Sequence, residues 1–463
     1  MFAHHRPAAV LFLALLVLLA AGLAAAASPA AAAPTPGGTL WSQQFSMSSL
    51  GDAFQDVARG PGDVVYCVGI TRATEEVSAL VLVKYKADGT KLWARTYRSP
   101  MAAGAAGTEV EVDPWGDILV AGSIGLAPTS SVKGRDFVVL KYSPSGGRIW
   151  VRKYDGPANR DDFPTDLAVD SGGTSYLVGS SRGVGTGQDY ALIAVGRGGG
   201  LRWTYRYAGT KFDYPNAVAL DGQGNSYVTG SSRGAGGEIA AATMKVTHAG
   251  TLMWVKRLQY GAGITHGNDI AYKNVGGDRR VYICGGAIGG MSTNMNLLVA
   301  RLSATTGAKV KDAEVDRSGG DDLGHALVVD SLGDAYAVGE TFSPLHTESH
   351  ALVARVNADA SVPWTRELNL ISPDNEAMFQ CVALSAGNLY CGGYGVTAGS
   401  GPDWLVLSIS TANGDRWIST SSGSAHRDDI CRAIVAGADG VYAAGHITRT
   451  ATGIDGLVKK YVP

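Results

Sequence analysis

The sequence predicts an all-β fold, a single eight-bladed β-propeller of four-stranded blades. Three observations predict it. A short run ending in Tyr-x-x-Gly recurs at near-constant spacing, and a Trp run keeps the same beat. Glycine is abundant, with 63 of 463 residues against a usual share of about 7%. Charged residues make up only 17%, where about 25% is ordinary. The 39 basic and 41 acidic residues nearly cancel, which excludes a polybasic nucleic-acid binder and an acidic solvating tail. An apolar share of 45% excludes a disordered polymer. The glycines follow no G-x-y period, which excludes collagen.

Residues 1–33 read as a secretory signal. Arg6 gives the positive start, Ala8 to about Leu23 the apolar stretch, and Ala25–Ala27 and Ala31–Ala33 two small-residue cleavage sites. A membrane anchor is the other reading, but the apolar part is short for a span. No later stretch is long and apolar enough to cross a membrane. The expectation is a secreted or extracytoplasmic monomer, with the propeller over residues 34–463.

The Tyr-x-x-Gly copies are Tyr66–Gly69, Tyr176–Gly179, Tyr227–Gly230, Tyr282–Gly285, Tyr336–Gly339, Tyr390–Gly393 and Tyr442–Gly445. An eighth, Leu119–Gly122, has Leu for Tyr. Successive glycines are 53, 57, 51, 55, 54, 54 and 52 residues apart. The Trp series is Trp41, Trp93, Trp150, Trp203, Trp254, Trp364 and Trp417, with one copy lost near Val310. Two further runs complete the unit, one like Asp166-Leu-Ala-Val-Asp170 and one like Asp136-Phe-Val-Val-Leu-Lys-Tyr142. Each repeat therefore holds four strands: A (the Ala-Val-Asp run), B (Tyr-x-x-Gly), C (the Lys-Tyr run) and D (the Trp run). Tight Gly, Asp, Asn and Ser turns separate them. Four-stranded units of this length, repeated, specify a propeller.

A–B–C sets begin near residues 52, 108, 162, 213, 266, 322, 377 and 429, which makes eight. The first element of the mature chain is a D strand, Thr39 to Phe45, and the last is a C strand, Asp455 to Tyr461. The N-terminal strand is therefore expected to complete the last blade and close the ring, hiding two unpaired edges.

The order Asp, then Gly-Asn-x-Tyr-Val-x-Gly, then Asp-x-x-x-x-Lys-Tyr, then Gly-x-x-x-Trp resembles the SBBP-type bacterial β-propeller repeat. The clearest copies are Asp213 to Gly230 and Asp136 to Tyr154. The resemblance implies an exported bacterial repeat protein without a shared catalytic motif. The family's name implies seven blades, whereas eight are counted here. Kelch repeats would need more Gly-Gly doublets than Gly285-Gly286 and Gly392-Gly393. Quinoprotein dehydrogenases typically carry an adjacent Cys pair, and WD repeats a Trp-Asp, and neither pattern occurs in the repeats.

Recurring residues are expected to serve the blade, and unique ones a site. Asp52, Asp162, Asp213, Asp322 and Asp429 recur at the entry to strand A. They could hold a hard cation such as Ca²⁺ at the channel mouth, or cap turn amides, which is the favoured reading. Strand C carries Lys84, Lys141, Lys245, Arg301, Arg355 and Lys460, with an acid five residues earlier at Asp136, Asp189, Asp403 and Asp455. These suggest contacts within or between blades, mostly of the small value that surface pairs have. The Trp series is expected to wedge against the neighbouring blade.

The long, variable loops are B–C and D–A, which share one face, so any ligand face is expected there. Its candidates are Arg72, Arg182 and Arg233 after strand B, Arg449 one position later, Arg160 and Arg427 in D–A loops, and His266 and His426. Arg could fork to carboxylate or sulfate groups of a glycan or peptide, or pair with Asp161-Asp162 and Asp428-Asp429 nearby. The five cysteines, Cys67, Cys284, Cys381, Cys391 and Cys431, leave at least one thiol unpaired within the chain. A bond from Cys391 to Cys381 or Cys431 is one arrangement, and small buried hydrophobes the other. No Gly-x-Ser-x-Gly elbow or P-loop is present. The expected function is an exported, non-enzymatic scaffold that binds a protein or glycan, with no nucleic-acid partner and no cofactor beyond Ca²⁺. The alternative is an enzyme with its site at the channel mouth, a polysaccharide lyase or hydrolase or a quinoprotein-like oxidoreductase.

Overall fold

The protein is described from a computed structural model over residues 35–74, 77–98, 104–125, 134–261, 263–289, 294–317, 319–345, 347–368, 376–396, 401–412, 414–425 and 427–463. Eight four-stranded antiparallel sheets stand in a ring. Blade 1 comprises Asp52–Gly60, Val64–Arg72, Ser78–Lys86 and Lys91–Tyr97. The innermost strands of blades 2 to 8 are Gly104–Val112, Asp162–Val169, Asp213–Leu220, Thr265–Val275, Asp322–Val329, Ala377–Ser385 and Ile430–Gly437. Each packs against the next, and Ile430–Gly437 packs against Asp52–Gly60 to complete the circle. Blade 2 begins at Gly104, earlier than the sequence pattern places it.

Closure is as the sequence predicts. Thr39–Phe45 pairs antiparallel with Gly453–Tyr461, with Trp41 opposite Lys460 and Phe45 opposite Gly456. It is the outer strand of blade 8. The core is divided into eight clusters, one at each blade boundary. This follows from strands that are apolar on both faces, as in Leu80, Val81, Leu82 and Val83, each fully buried.

The D-strand tryptophans latch neighbouring blades on the lower face, where the A–B and C–D turns lie. Trp41, Trp150 and Trp203 donate Nε1–H to Ala87, Arg197 and His248 carbonyls in the next blade's C–D turn, at 2.7, 2.9 and 2.9 Å. Their rings lie against a glycine of that turn, Gly89, Gly199 and Gly250, each at positive φ. A Cβ at Gly250 (φ +88°) would stand 2.6 Å from Trp203 Cγ. Gly250→Ala is therefore expected to cost roughly 1–3 kcal/mol, seen as a lower urea midpoint at unchanged m.

The C-strand bases join the same latch. Lys460 donates to Ala87 O (3.3 Å) and lies 4.9 Å over the Tyr442 ring, and Lys245 donates to Ala304 O (3.1 Å) over Tyr227. The expectation of weak surface pairs is corrected here, because Lys141, Arg301 and Lys460 are only 1%, 5% and 6% exposed. Nor does each base meet the acid five residues before it. An odd offset puts the two on opposite faces of a strand, about 17 Å apart along it.

A–B turns are built on one aspartate. Asp170 Oδ1 accepts the Gly172 and Thr174 amides at 2.9 and 2.8 Å, and its Oδ2 accepts the Tyr176 hydroxyl at 3.0 Å. Asp221 and Asp330 repeat this with Tyr227 and Tyr336. Blade 2 has Leu119 where the tyrosine belongs, and Lys141 Nζ takes the vacant acceptor, 2.7 Å from Asp113 Oδ2. The five thiols are free. Cys67, Cys284, Cys391 and Cys431 are buried strand residues, as the small-hydrophobe reading expects.

Candidate functional site

All eight innermost strands carry a β-bulge at the same level. The register shifts fall at Phe54/Asp56, Gly107/Glu109, Pro164/Asp166, Pro215/Ala217, Gly267/Asp269, Gly324/Ala326, Phe379/Cys381 and Cys431/Ala433. The extra residues are Gln55, Thr108, Thr165, Asn216, Asn268, His325, Gln380 and Arg432. Every one is polar, and their identities vary from blade to blade. A bulge re-aims a side chain out of the pleat, so the inner ring of the propeller presents a belt of unlike polar groups. Parts of the belt are tied together. Asn216 donates to Gly267 O at 2.7 Å, Asn268 to Gly324 O at 2.8 Å, and Arg432 to Gln380 Oε1 at 3.1 Å.

At the upper mouth, Gln55, Thr108, Thr165, Gln380 and Arg432 of this belt, with Glu109 and Arg72, line a hollow of about 540 Å³. This is the face the loop lengths single out, and Arg72 is the one sequence candidate in the hollow. Arg432 is half-buried, and burial pulls its guanidinium below the usual range.

Carboxyls gather on the blade 1–3 side. Asp56 Oδ2 accepts the Val110 amide of blade 2 at 2.8 Å, and Asp166 Oδ2 accepts the Val218 amide of blade 4 at 2.7 Å. Asp269 does the same for Leu327 of blade 6 at 2.7 Å. Glu109 and Asp56 are neighbouring carboxyls, and burial raises both. The Asp56 charge then pushes Glu109 up further. Burial also raises Asp166 to about 7, with nearby carboxylates adding to the shift. Asp269 rises to about 6 through burial.

These shifts carry a sign. A carboxyl whose folded pKa is raised binds more protons folded than unfolded, so stability falls as pH rises through the window between the two values. For Asp166 that window runs from about 3.8 to about 7. His446, lowered to about 4 by burial, works oppositely below pH 6.5. Above 6.5 the carboxyls act alone among these groups. The melting temperature is expected to fall between pH 6.5 and about 7.5, and Asp166→Asn to flatten the slope. A slope unchanged in that variant would refute the assignment.

The five recurring aspartates accept amides of the D–A loop that leads into their own blade. Asp52 Oδ2 accepts Met47 and Ser48 N–H at 2.7 and 3.0 Å, Asp162 accepts Gly156 N–H at 2.7 Å, and Asp213 accepts Gly209 N–H at 2.5 Å. Asp322 accepts Arg317 N–H at 2.8 Å, and Asp429 accepts the Gly423 and Thr448 amides. Burial raises Asp162, Asp213, Asp322 and Asp429 above the usual carboxylate range. One group of three acids among the described residues, Asp136, Asp155 and Asp162, brings its oxygens within 4.8 Å of one another. The other four recurring aspartates are not part of it.

The remaining candidates are scattered. Arg233 lines a separate hollow of about 630 Å³ with Glu238 and Gln259. Arg160, Arg182 and Arg427 are exposed on loops or strand ends. Among the described residues none of these makes an ion pair, so the expected Arg–Asp pairing is not found. Asp161 instead accepts the Arg135 amide at 2.9 Å, and Asp162 and Asp429 turn inward. Arg449 is structural, its Nε 3.0 Å from the Gln44 side-chain oxygen of the closing strand. His266 Nδ1 lies 2.7 Å from Ser231 Oγ, and burial lowers its pKa. His426 lies outside the described residues. Sequence reasoning missed Arg432, Gln55, Gln380 and Glu109. A signal was present, since the residue three after the strand-A entry position is polar in all eight blades.

Residues 206–238 match the family described as SBBP, beta-propeller repeat. That stretch, from the end of one blade into the next, is of this repeat type. Comparison with curated proteins gives no match. Among solved structures, the chain is similar to a protein of unknown function from Dyadobacter fermentans at 13% identity and TM-score 0.39, covering 72% of this chain and 96% of that one. It is similar to the Neurospora crassa Pan2 WD40 domain at 9% identity and TM-score 0.41, covering 92% and 97%. It is also similar to a Fusarium graminearum α-L-arabinofuranosidase at 11% identity and TM-score 0.39, covering 70% and 96%. Likenesses this remote say nothing of function.

Proposed function

We propose that this protein is an exported binding module whose ligand sits at the upper channel mouth. One observation carries the reading. The mouth is lined by side chains that hold equivalent places in the blades yet differ in kind, which a purely structural belt does not need. Arg72 and Arg432 supply fork-shaped donors suited to a carboxylate or sulfate. Gln55, Gln380, Thr108 and Thr165 supply the paired donors and acceptors that read hydroxyl or amide groups. An acidic glycan chain or acidic peptide end fits this lining. Immobilised acidic and neutral oligosaccharides and peptides, probed with the labelled full chain, test it. Retention of the acidic members is expected, and equal retention of neutral ones would contradict the reading.

A second reading rests on the Asp56–Glu109 pair. Two neighbouring buried carboxyls with raised pKa values are the kind of pair general acid–base chemistry uses. It would make the mouth the active site of a polysaccharide lyase or hydrolase. Turnover of a retained glycan, abolished by Glu109→Gln, would favour it over simple binding.

A further inference from the structure

The lower face carries a cationic hollow remote in the repeat from the upper mouth. It lies between blades 5 and 6, measures about 240 Å³, and is lined by Arg280, Arg301 and Lys311 together with Tyr282, Val310 and Leu332.

Blade 5 differs from blade 6 at this place. In blade 6, Arg355 stands opposite Tyr336 in the ladder and its Nη2 donates to Asp334 at 2.8 Å. Arg301 stands opposite Tyr282 in the same way. Two residues before Tyr336 is Asp334, whereas two residues before Tyr282 is Arg280. Where blade 6 has an acid to meet its arginine, blade 5 has a second cation. Arg301 is 5% exposed. Its Nη1 donates to Ala358 O and its guanidinium lies 5.9 Å over the Tyr282 ring. Nη2 has no partner at hydrogen-bonding geometry. The one acid in its lining, Asp278, lies 2.6 Å from Arg280 and is half exposed. A buried donor left unmatched is costly, and the lining itself sets three cations against one carboxylate.

We propose that this hollow binds a tetrahedral oxyanion, phosphate or sulfate, through Arg301 Nη2, Arg280 and Lys311. The inference is independent of the upper-mouth reading. Val310 and Leu332, 40% and 68% exposed, give the rim an apolar edge that an ester's organic body would cover.

Calorimetry of the full chain at constant ionic strength tests it, with inorganic phosphate, inorganic sulfate and phenyl phosphate as probes. Binding of both inorganic anions is expected. Tighter binding of phenyl phosphate would identify an ester as the natural form, and equal binding the free anion. Arg280→Ala with Lys311→Ala, both at accessible positions, is expected to weaken binding by about tenfold or more. Asp278→Asn, which releases Arg280, is expected to tighten it. No heat from any probe at tens of millimolar, or affinities indifferent to these variants, would overturn the proposal. Arg301 is left intact in these tests, because its truncation would strand the Ala358 carbonyl.

Discussion

Removal of residues 34–48 is expected to abolish the cooperative thermal transition. The segment contains Thr39–Phe45, the outer strand of blade 8. Phe45 is 2% exposed and lies 5.5 Å from Phe54 of blade 1. Trp41 reaches the blade 1 turn through its bond to Ala87 O. Before the strand, Gly37 N donates to Val462 O, and Val462 N donates to Gly38 O, each at 3.0 Å. Deletion therefore strips blade 8 of its outer edge and opens the boundary between blades 8 and 1. Burying an aromatic side chain contributes about 1.5–3 kcal/mol, and each ladder bond about 0.5–1.5. The sum rivals a typical net stability of about 5–15 kcal/mol. Aggregation through the exposed strand should follow. A peptide spanning 34–48 added in trans should restore the transition. A truncated monomer with an unchanged melting temperature would refute closure by this strand.

Lys141→Met is expected to cost about 3–5 kcal/mol, the range for removing one partner of a buried ion pair. Lys141 and Asp113 are 1% and 3% exposed, and Lys141 Nζ also lies 3.1 Å from Asp117. Removing the lysine leaves Asp113 Oδ2 buried without its donor. Lys84 holds the same place in blade 1, is only half-buried, and meets the Pro144 carbonyl instead of an acid. Lys84→Met should cost less than about 1 kcal/mol. A tyrosine hydroxyl serves the equivalent acid in blades 3, 4 and 6, so Leu119→Tyr should recover part of the loss in the Lys141→Met background. Urea unfolding of the four combinations reads the coupling directly. Equal losses in the two lysine variants would contradict this account of blade 2.

The fold was legible because it is periodic. A unit of about 54 residues shows its strands eight times over, and the unmatched D strand at one end and C strand at the other announce the closure. The latch was half legible: Gly-x-x-x-Trp recurs, but the glycine receives the previous blade's tryptophan, which no local spacing reveals. The mouth was least legible. A β-bulge has no composition of its own, and Gln55, Thr165 and Arg432 look unrelated until aligned on Asp52, Asp162 and Asp429. The arginines chosen for their place after strand B split for a plain reason. Arg72 and Arg182 both stand exposed at the end of strand B, but of the two Arg72 lines the mouth hollow. The blade 5 hollow was hidden because it is an exception, an arginine in a place where blades 2 and 6 have an acid.

The central claim is that ligand binds at the upper mouth through Arg72. The most direct measurement is the affinity of the best-retained acidic oligosaccharide or peptide for Arg72→Glu and Arg182→Glu, by calorimetry. Both positions are exposed strand ends, so both variants should fold. The account predicts loss of binding in the first and little change in the second. Equal affinity in the two would contradict it.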